Sequence, residues 1–344
     1  MKDDPLVSVV LPVYNRPSVV NTIDSVLKQT YKNFELLIID NASTDATRDV
    51  INKLIVEEKS KNGSESSDRI HLIINEENKG QTYSINRGLQ LSTGKYIARI
   101  DADDLMLPKR LEKQVCFMES NPDFGLVGGW VKFITLDDKL TITNRMPITD
   151  QGMRLLQTIT CGMYHPVAMI RKSVLDEHNI SYEPGIAMAE DYDMWRKIMQ
   201  FSKACNLPEV LIYYRKGDND SKRYAKIMHD ESYMVRMYSL EDDKKAGWFC
   251  NPSEYDKMMR FIKLEMQPHK NLKNVLSIYR YYKSLIPGYL DLKTEEGKLD
   301  ASIILTHMKL KVYSSCVIDN TAWWGNIADG IYQSLKKTRA FLKI

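Results

Sequence analysis

The sequence has no long apolar run: no stretch approaches the ~18 consecutive apolar residues that a membrane-spanning helix needs. It has no glycine-rich phosphate loop of the dinucleotide-binding or P-loop kind, since Val13-Tyr14-Asn15-Arg16-Pro17 occupies the first strand–helix turn. Its five cysteines are scattered without a close pair, which favours reduced thiols and argues against a zinc site. The first five residues are too polar for a signal peptide. We therefore expect a cytoplasmic protein.

The composition is that of an ordinary globular protein, with 43% hydrophobic and 27% charged residues in a chain of 344. This length suits one large α/β domain with an appendage, or two domains. The formal net charge is only +3, and we expect no nucleic-acid partner.

Apolar, β-branched runs alternate with amphipathic helical patterns through the first two thirds of the chain. Strands are predicted at 6–13, 34–39, 70–74, 96–100, 124–129 and 166–170, with irregular strands or a hairpin at 130–150. Helices are predicted between them, including one at 189–201. This alternation indicates crossover units and a parallel sheet. From about residue 224 only helical patterns remain, so the domains are predicted as 1–222 and a helical region, 223–344.

Two carboxylates stand at the ends of predicted buried strands, Asp40 after the second and Asp101 after the fourth. Ligands of open α/β sheets bind outside the carboxyl ends of the strands. Asp101 also opens Asp101-Ala102-Asp103-Asp104, which we call the acidic turn. Three carboxylates so close repel one another unless a cation such as Mn²⁺ or Mg²⁺ neutralises them. A solvated turn that caps the following helix is the alternative.

Three further features are less specific. Asp45 is either a ligand-binding group or a helix N-cap. Glu190 and Asp191 open a helix, where they either complement its dipole or supply a general base. His165 is either structural or part of a site.

Six segments, in this order, resemble the inverting glycosyltransferases of family 2, which have the GT-A fold. They are VSVVLPVYNR (7–16), LLIIDNASTD (36–45), NKGQTYSINRGL (78–89), GKYIARIDADD (94–104), FGLVGGW (124–130) and AEDYDMW (189–195). The resemblance covers about residues 1–220. It implies a Rossmann-like, mostly parallel sheet flanked by helices, and transfer of a sugar from a nucleotide-sugar donor, typically a UDP-sugar, to a glycan or lipid-linked acceptor, as in polysaccharide biosynthesis.

The resemblance also implies roles for individual residues. Those expected on the donor side are Pro12, Tyr14, Asn15, Asp40, Lys79, Asp101 and Ala102. Asp103 would hold the divalent metal with help from Asp104, and Asp191 would be the catalytic base. His165, Glu190 and Trp195 would lie on the acceptor side.

One position departs from the family pattern. Many relatives follow Tyr-Arg-x-His after the base, and that histidine helps to hold the metal. Here Tyr214-Arg215-Lys216 is followed by Gly217 and Asp218. We expect either water or Asp218 to complete the metal shell, or Lys216 to supply positive charge to the diphosphate.

Two rival functions use the same residues. A metal-dependent nucleotidyltransferase or phosphohydrolase would need a basic loop that grips a triphosphate, and the sequence offers none. A non-catalytic binding module with the same fold is suggested by the replaced histidine and opposed by Asp191.

Apolar residues recur at helical spacing near the end of the chain, among them Trp323, Trp324 and Ile327, with Lys336, Lys337 and Arg339 interleaved. This pattern predicts packing onto the body of the protein or onto a second copy in a homo-oligomer. A peripheral membrane helix that serves a lipid-linked acceptor is the alternative.

Overall fold

The computed structural model describes residues 4–62, 68–135, 137–215, 222–245, 255–259 and 272–318. The chain divides into two compact units. The first contains Met1–Met146 and Cys161–Val235, and the second contains Pro147–Thr160 and Arg236–Ile344. The division does not fall at the predicted boundary of 222: a helix begins there, at Lys222, and the division lies within it, after Val235. Residues 147–160 group with the second unit. Residues 216–221 and 319–344, with the predicted roles of Lys216, Gly217, Asp218 and the terminal apolar pattern, lie outside the described residues.

Among the described residues of the first unit, nine strands form one sheet. They are β1 (Val7–Val13), β2 (Phe34–Asp40), β3 (Ile70–Ile74), β4 (Tyr96–Arg99), β5 (Leu105–Met106), β6 (Phe124–Ile134), β7 (Leu140–Asn144), β8 (Met169–Arg171) and β9 (Lys203–Arg215). The helices along the described chain are α1 (Val19–Leu27), α2 (Thr47–Asn62), α3 (Gln81–Leu91), α4 (Arg110–Ser120), α5 (Asp150–Gln157), α6 (Lys172–His178), α7 (Glu190–Met199), α8 (Lys222–Lys245), α9 (Leu272–Tyr289) and α10 (Glu295–Ile318).

The sheet is mixed, with the strand order β3-β2-β1-β4-β8-β6-β9-β5 and β7 paired to β6. The first four strands in this order are parallel, as are β6 and β9. Strand β8 joins the two parallel blocks by pairing antiparallel to both β4 and β6. The α/β prediction is confirmed, and strands β6 and β7 form the hairpin predicted at 130–150.

The structure differs from the predicted strands in two places. Strand β9 was not predicted, because Pro208 and Glu209 interrupt its apolar pattern. The pairing of β9 with β6 is irregular at this point: Gly129 pairs with Leu207, and Trp130 pairs with Val210. Pro208 and Glu209 therefore have no partner in register. The strand predicted at 166–170 begins late, because residues His165–Val167 form a 3-10 turn that contains Pro166.

In the second unit, Asp300 on α10 fastens the segment that leads into α5. Its buried carboxylate accepts hydrogen bonds from the backbone N–H of Ile148 at 2.7 Å and of Thr149 at 3.0 Å. The Thr149 hydroxyl in turn accepts from the N–H of Gly152 at 3.0 Å and caps the helix.

None of the helices in the described residues combines the length and the hydropathy of a membrane-spanning segment.

Helix α3 lies close against the sheet because Gly88 faces β1. A Cβ atom at this position would overlap Cγ1 of Val10 and would contact Cγ1 of Ile39 at 3.5 Å. Both Val10 and Ile39 are fully buried, so neither side chain has free space into which it could move. The absence of a side chain at Gly88 therefore sets the distance between this helix and the strands that carry the site.

We expect Gly88→Ala to lower the free energy of unfolding by about 1–2 kcal/mol, since overpacking outweighs the better helix propensity of alanine. Urea unfolding followed by circular dichroism measures this change. Gly185→Ala is the control, because a Cβ atom there has no neighbour within 4 Å. Equal stability of the two variants would contradict the close packing of α3.

Candidate active site

The carboxyl ends of β2, β1 and β4 lie side by side at one edge of the sheet. Val13 at the end of β1 is in register with Asp40 at the end of β2, and Val10 is in register with Arg99 on β4. Asp40 and the acidic turn therefore leave the sheet at the same edge, although about 60 residues separate them in sequence.

Asp40 is fully buried, and two groups from its own loop and helix bind it. The N–H of Ser43 donates to Oδ1 at 3.0 Å, and Nε of Arg48 on α2 forms an ion pair with Oδ2. Asp45 acts as a cap, since Oδ1 accepts from the N–H of Thr47 at 2.9 Å. The structure thus gives Asp40 a cationic partner that the sequence analysis did not name.

The loop after β1 is bound to the loop after β2. The N–H of Asn15 donates to the hydroxyl of Ser43 at 3.0 Å, and its side-chain oxygen accepts from the N–H of Thr44 at 2.8 Å. Asn15 has a φ of 45°, in the left-handed region that asparagine tolerates. Tyr14 is 45% exposed beside it, whereas Pro12 is buried within β1. Tyr14 and Asn15 are therefore accessible to a ligand, and Pro12 is not.

Lys79 belongs to a loop that a buried asparagine holds next to Asp40. The side-chain oxygen of Asn41 accepts from the N–H of Lys79 at 3.2 Å and from Nδ2 of Asn75 at 3.0 Å. The Lys79 ammonium lies 3.4 Å from Glu77 and 5.1 Å from the centroid of the Tyr83 ring. It is solvent-exposed, so it can swing towards an anion at this edge.

In the acidic turn, Asp101 and Asp103 each form an ion pair with an arginine. Asp101 accepts from Nη2 of Arg99 at 2.6 Å, and Asp103 lies 3.5 Å from Nη1 of Arg16 in the loop after β1. Burial and the charge of Asp101 raise the pKa of Asp103, and Arg16 lowers it in part. Ala102 is half-buried between them. The acidic turn is thus a set of charges under mutual repulsion.

Asp104 is the most deeply buried carboxylate of the turn, at 1% exposure. Its Oδ1 accepts from the N–H of Arg215 at 2.7 Å, and Nε of Arg215 donates to the carbonyl of Asp103 at 3.1 Å. Its Oδ2 is buried and finds no hydrogen-bond donor among the described residues. Burial and the charge of Asp101 raise the pKa of Asp104 well above its usual range.

A divalent metal fits these residues. Hard cations prefer carboxylate oxygens, and a cation would neutralise the repulsion that raises the pKa of Asp103 and Asp104. The buried Oδ2 of Asp104 is an oxygen with no other partner in the described chain. Within the same residues no three Asp, Glu, His or Cys side chains form a complete metal cluster, so other ligands would have to come from substrate or water.

Glu190 and Asp191 open α7 in a largely buried environment. Asp191 accepts from the N–H of Tyr192 at 2.7 Å through Oδ1, and the thiol of Cys161 donates to its Oδ2 at 3.7 Å. Burial raises the pKa of Asp191 to about 6, and the charge of Asp101 adds to this. Burial and the neighbouring Asp191 raise the pKa of Glu190 to about 8. Burial and mutual repulsion therefore raise both pKa values, and they oppose ionisation of both carboxyls at neutral pH.

His165 lies behind this pair, with Nε2 hydrogen-bonded to the hydroxyl of Tyr182 at 2.8 Å and Nδ1 3.9 Å from the carboxyl of Glu190. Burial and the charge of Arg99 lower its pKa well below 6.5, so the imidazole is neutral. Trp195 is fully buried, and its indole N–H donates to the carbonyl of Met163 at 3.3 Å. The ring of Trp195 therefore packs in the interior, and none of its surface is exposed to an acceptor.

Four arginines contact these carboxylates, and the sequence analysis gave none of them a role: Arg16, Arg48, Arg99 and Arg215. Arg16, Arg99 and Arg215 stand inside the family segments named above, and that position was the available signal. Arg48 carried no such signal, because its contact with Asp40 depends on how helix α2 approaches the edge of the sheet.

The comparisons with known proteins agree with the fold. The model of the family "Glycosyl transferase family 2" matches residues 8–178. An uncharacterized glycosyltransferase of Methanocaldococcus jannaschii is 33% identical over 257 residues, which are 72% of this chain and 83% of that protein. WfaP of Escherichia coli, a UDP-Glc:alpha-D-GlcNAc-diphosphoundecaprenol beta-1,3-glucosyltransferase, is 34% identical over 214 residues, covering 61% of this chain and 77% of its own.

Among solved structures, the mannosyltransferase PcManGT of Pyrobaculum calidifontis, in complex with GDP-Man and Mn²⁺, is similar with a TM-score of 0.50 and 16% identity. The alignment covers 99% of this chain and 84% of that one. The predicted GT-A architecture is confirmed. This chain belongs to glycosyl transferase family 2 and is a glycosyltransferase. The rival assignment to a nucleotidyltransferase or phosphohydrolase was wrong.

The ion pair between Asp40 and Arg48 can be tested by stability alone. We expect Arg48→Ala to lower the free energy of unfolding by roughly 2–3 kcal/mol, because it leaves a buried carboxylate without its cation. The loss stays at the low end of the range for buried pairs, since the side chain of Arg48 is 35% exposed. Urea unfolding at neutral pH measures it. Lys53→Ala, at an exposed position of the same helix, is the control, and an equal effect of both would refute the pairing.

Proposed function

We propose that this glycosyltransferase moves a sugar from a UDP-sugar to a hydroxyl of a glycan or lipid-linked saccharide, with inversion at the anomeric carbon. The setting would be surface polysaccharide synthesis on the cytoplasmic side of the membrane. The name of the relative WfaP supports a UDP-sugar donor and an acceptor on a lipid diphosphate. Asp191 supports the inverting reaction because it is a largely buried carboxyl with a raised pKa, which suits a general base.

The observation that carries the proposal is a series of contacts between two carboxylate sites that lie about 90 residues apart in sequence. Arg99 binds Asp101 at 2.6 Å, and its N–H donates to the carbonyl of Ala168 at 2.9 Å. His165, three residues before Ala168, has Nδ1 3.9 Å from the carboxyl of Glu190, and the charge of Asp101 accordingly helps to raise the pKa of Asp191. A donor at the acidic turn and an acceptor at Asp191 would therefore meet within one site.

The donor side of the proposed site uses the loops after β1, β2 and β3. Tyr14 and Asn15 are accessible for contacts with the nucleotide, and Asp40 is buried at the same edge of the sheet. Lys79 would supply positive charge to the diphosphate. Asp101 would reach the ribose or the sugar, because it is only partly buried, at 28% exposure.

Asp103 and Asp104 would hold a divalent metal, which supplies positive charge to the departing diphosphate when it is bound. The neighbour PcManGT, which was solved with Mn²⁺, favours manganese as the first ion to test. Asp103 is the more accessible of the two carboxylates, at 24% exposure against 1% for Asp104.

In the proposed reaction, Asp191 takes the proton of an acceptor hydroxyl. The hydroxyl oxygen forms a bond to the anomeric carbon from the face opposite the nucleotide, while the bond between that carbon and the diphosphate oxygen breaks. The products are a glycoside of inverted configuration, protonated Asp191 and a nucleoside diphosphate. We assign the base to Asp191 and not to Glu190, because the pKa of Glu190 is raised further, to about 8.

We expect Asp191→Asn to reduce turnover by about 10²–10⁴-fold while leaving nucleotide binding intact, since a positioned general base contributes that much. The assay is release of nucleoside diphosphate from a panel of UDP-glucose, UDP-N-acetylglucosamine, UDP-galactose and GDP-mannose, with UDP binding measured by calorimetry. Asp176→Asn, on the exposed face of α6, is the matched control.

The wild-type profile of kcat against pH should fall on the acid side through about 6, because Asp191 must be ionised to accept a proton and its pKa is raised to about 6. The groups that face Asp191 are Glu190, Asp101 and the Cys161 thiol. Turnover of Asp191→Asn close to wild type would show that a different group acts as the base.

The metal can be tested at Asp103. We expect Asp103→Ala to weaken UDP binding in the presence of Mn²⁺ by about 10- to 100-fold, the range that losses around a metal site usually span. Binding with EDTA should stay within about twofold of wild type. Calorimetry with and without Mn²⁺ measures both, and Asp24→Ala, an exposed residue of α1, is the control. Equal affinity of wild type and Asp103→Ala with Mn²⁺ would remove Asp103 from the metal site.

A further inference from the structure

The backbone immediately before the proposed base is held by one carboxylate from another helix. Oε2 of Glu231, on α8, accepts hydrogen bonds from the N–H groups of Ala187 at 3.1 Å, Met188 at 2.6 Å and Ala189 at 3.1 Å. Residues 187–189 lead directly into Glu190 and Asp191. A single side chain thus fixes three consecutive peptide groups next to the catalytic carboxyl.

The helix that carries Asp191 has no side-chain hydrogen bond from its own N-cap residue. Its N-cap residue is Ala189, whose side chain cannot accept a hydrogen bond. Serine, threonine, aspartate or asparagine usually fulfil this role from the N-cap position itself. Here the acceptor comes from residue 231, about 40 positions along the chain, and it binds the backbone just outside the first turn.

Glu231 is itself well placed to act as a rigid anchor. Its side chain is 9% exposed, so water competes little for its oxygens. Bonds from N–H groups to an ionised carboxylate are about twice as strong as bonds between neutral groups. The anchor therefore holds the segment more firmly than three ordinary loop contacts would.

An apolar contact one helical turn further along α8 supports the same segment. Val235 is fully buried and packs with Ile186, Ala189 and Tyr192, and Cys161 borders the cluster. The Sγ atom of Cys161 also lies within hydrogen-bonding distance of Oδ2 of Asp191, at 3.7 Å. Helix α8 thus makes two contacts with the segment that leads into Asp191. Glu231 supplies the polar contact and Val235 the apolar one.

We propose that Glu231 is a positioning residue for the transfer reaction: it acts through the backbone of residues 187–189 to aim the carboxyl of Asp191. This inference rests on the proposed role of Asp191 as base. Glu231 binds the backbone of residues 187–189 and not the side chain of Asp191, so its loss should change the geometry of the base and leave the donor site, on the loops after β1 to β4, as it is.

The test compares Glu231→Ala and Glu231→Gln with matched changes at Glu241, an exposed residue of the same helix. The probe is UDP-glucose, with kcat and KM taken from UDP release and the dissociation constant of UDP from calorimetry. The number of UDP sites per chain corrects every rate for the folded fraction.

We expect Glu231→Ala to lower kcat by about 10- to 100-fold, as displacement of a catalytic group by about 1 Å does. The KM for UDP-glucose and the affinity for UDP should stay within twofold. Glu231→Gln, which keeps one acceptor oxygen, should lie between this variant and wild type. A kcat of Glu231→Ala equal to that of Glu241→Ala, or a parallel loss of UDP affinity, would overturn the proposal.

A double variant separates this inference from the proposed function. If Glu231 acts only through Asp191, adding Glu231→Ala to Asp191→Asn should lower kcat by less than about threefold, because the group to be aimed is already gone. Independent, multiplicative losses would instead indicate general loosening of the fold and refute a positioning role. Full turnover of Asp191→Asn alone would refute the proposed base, and the positioning role with it.

Discussion

Repulsion among buried carboxylates at one edge of the sheet is the constraint on which the site depends. Parallel strands deliver Asp40 and the acidic turn to the same place, and each charge there would be unfavourable without a partner. The partners are arginines from separate elements: Arg48 from a helix, Arg16 from a neighbouring loop and Arg99 from the strand itself. Pairing of charges thus fixes the loops relative to one another before any ligand binds.

Arg215 extends this pattern from the end of the long strand β9. Its N–H binds the carboxyl of Asp104, its guanidinium binds the carbonyl of Asp103, and Nη1 reaches the carbonyl of Thr135 at 2.7 Å. The acidic turn is therefore held from the β6–β7 side as well as from β1. A turn fixed on both sides can keep like charges close together, which is the arrangement that attracts a cation and, through it, a diphosphate.

The sequence predicted the parts of the site that depend on strand order and failed where distant elements meet. Asp40 and Asp101 could be placed because apolar runs end on them and parallel strands share an edge. Arg48 and Glu231 could not, because a charged residue on a helix gives no signal of which loop it will contact. Trp195 was expected beside the acceptor, but its ring is fully buried. The apolar pattern of α7 shows which residues share a face of the helix, and it does not show how completely the rest of the protein covers that face.

The same burial that suits the base to its task opposes stability. Burial raises the pKa of Asp191 from 3.8 to about 6 and that of Glu190 from 4.5 to about 8. A carboxyl with a raised pKa binds its proton more tightly in the folded state, so its contribution to folding is complete below the unfolded pKa and is lost as the pH rises through the folded value. Ionised Asp191, which the proposed reaction needs, is therefore the less stable form of the fold. Firm contacts such as those of Glu231 to the adjoining backbone offset this cost without neutralising the charge, because they bind peptide groups and leave the carboxyl of Asp191 unprotonated.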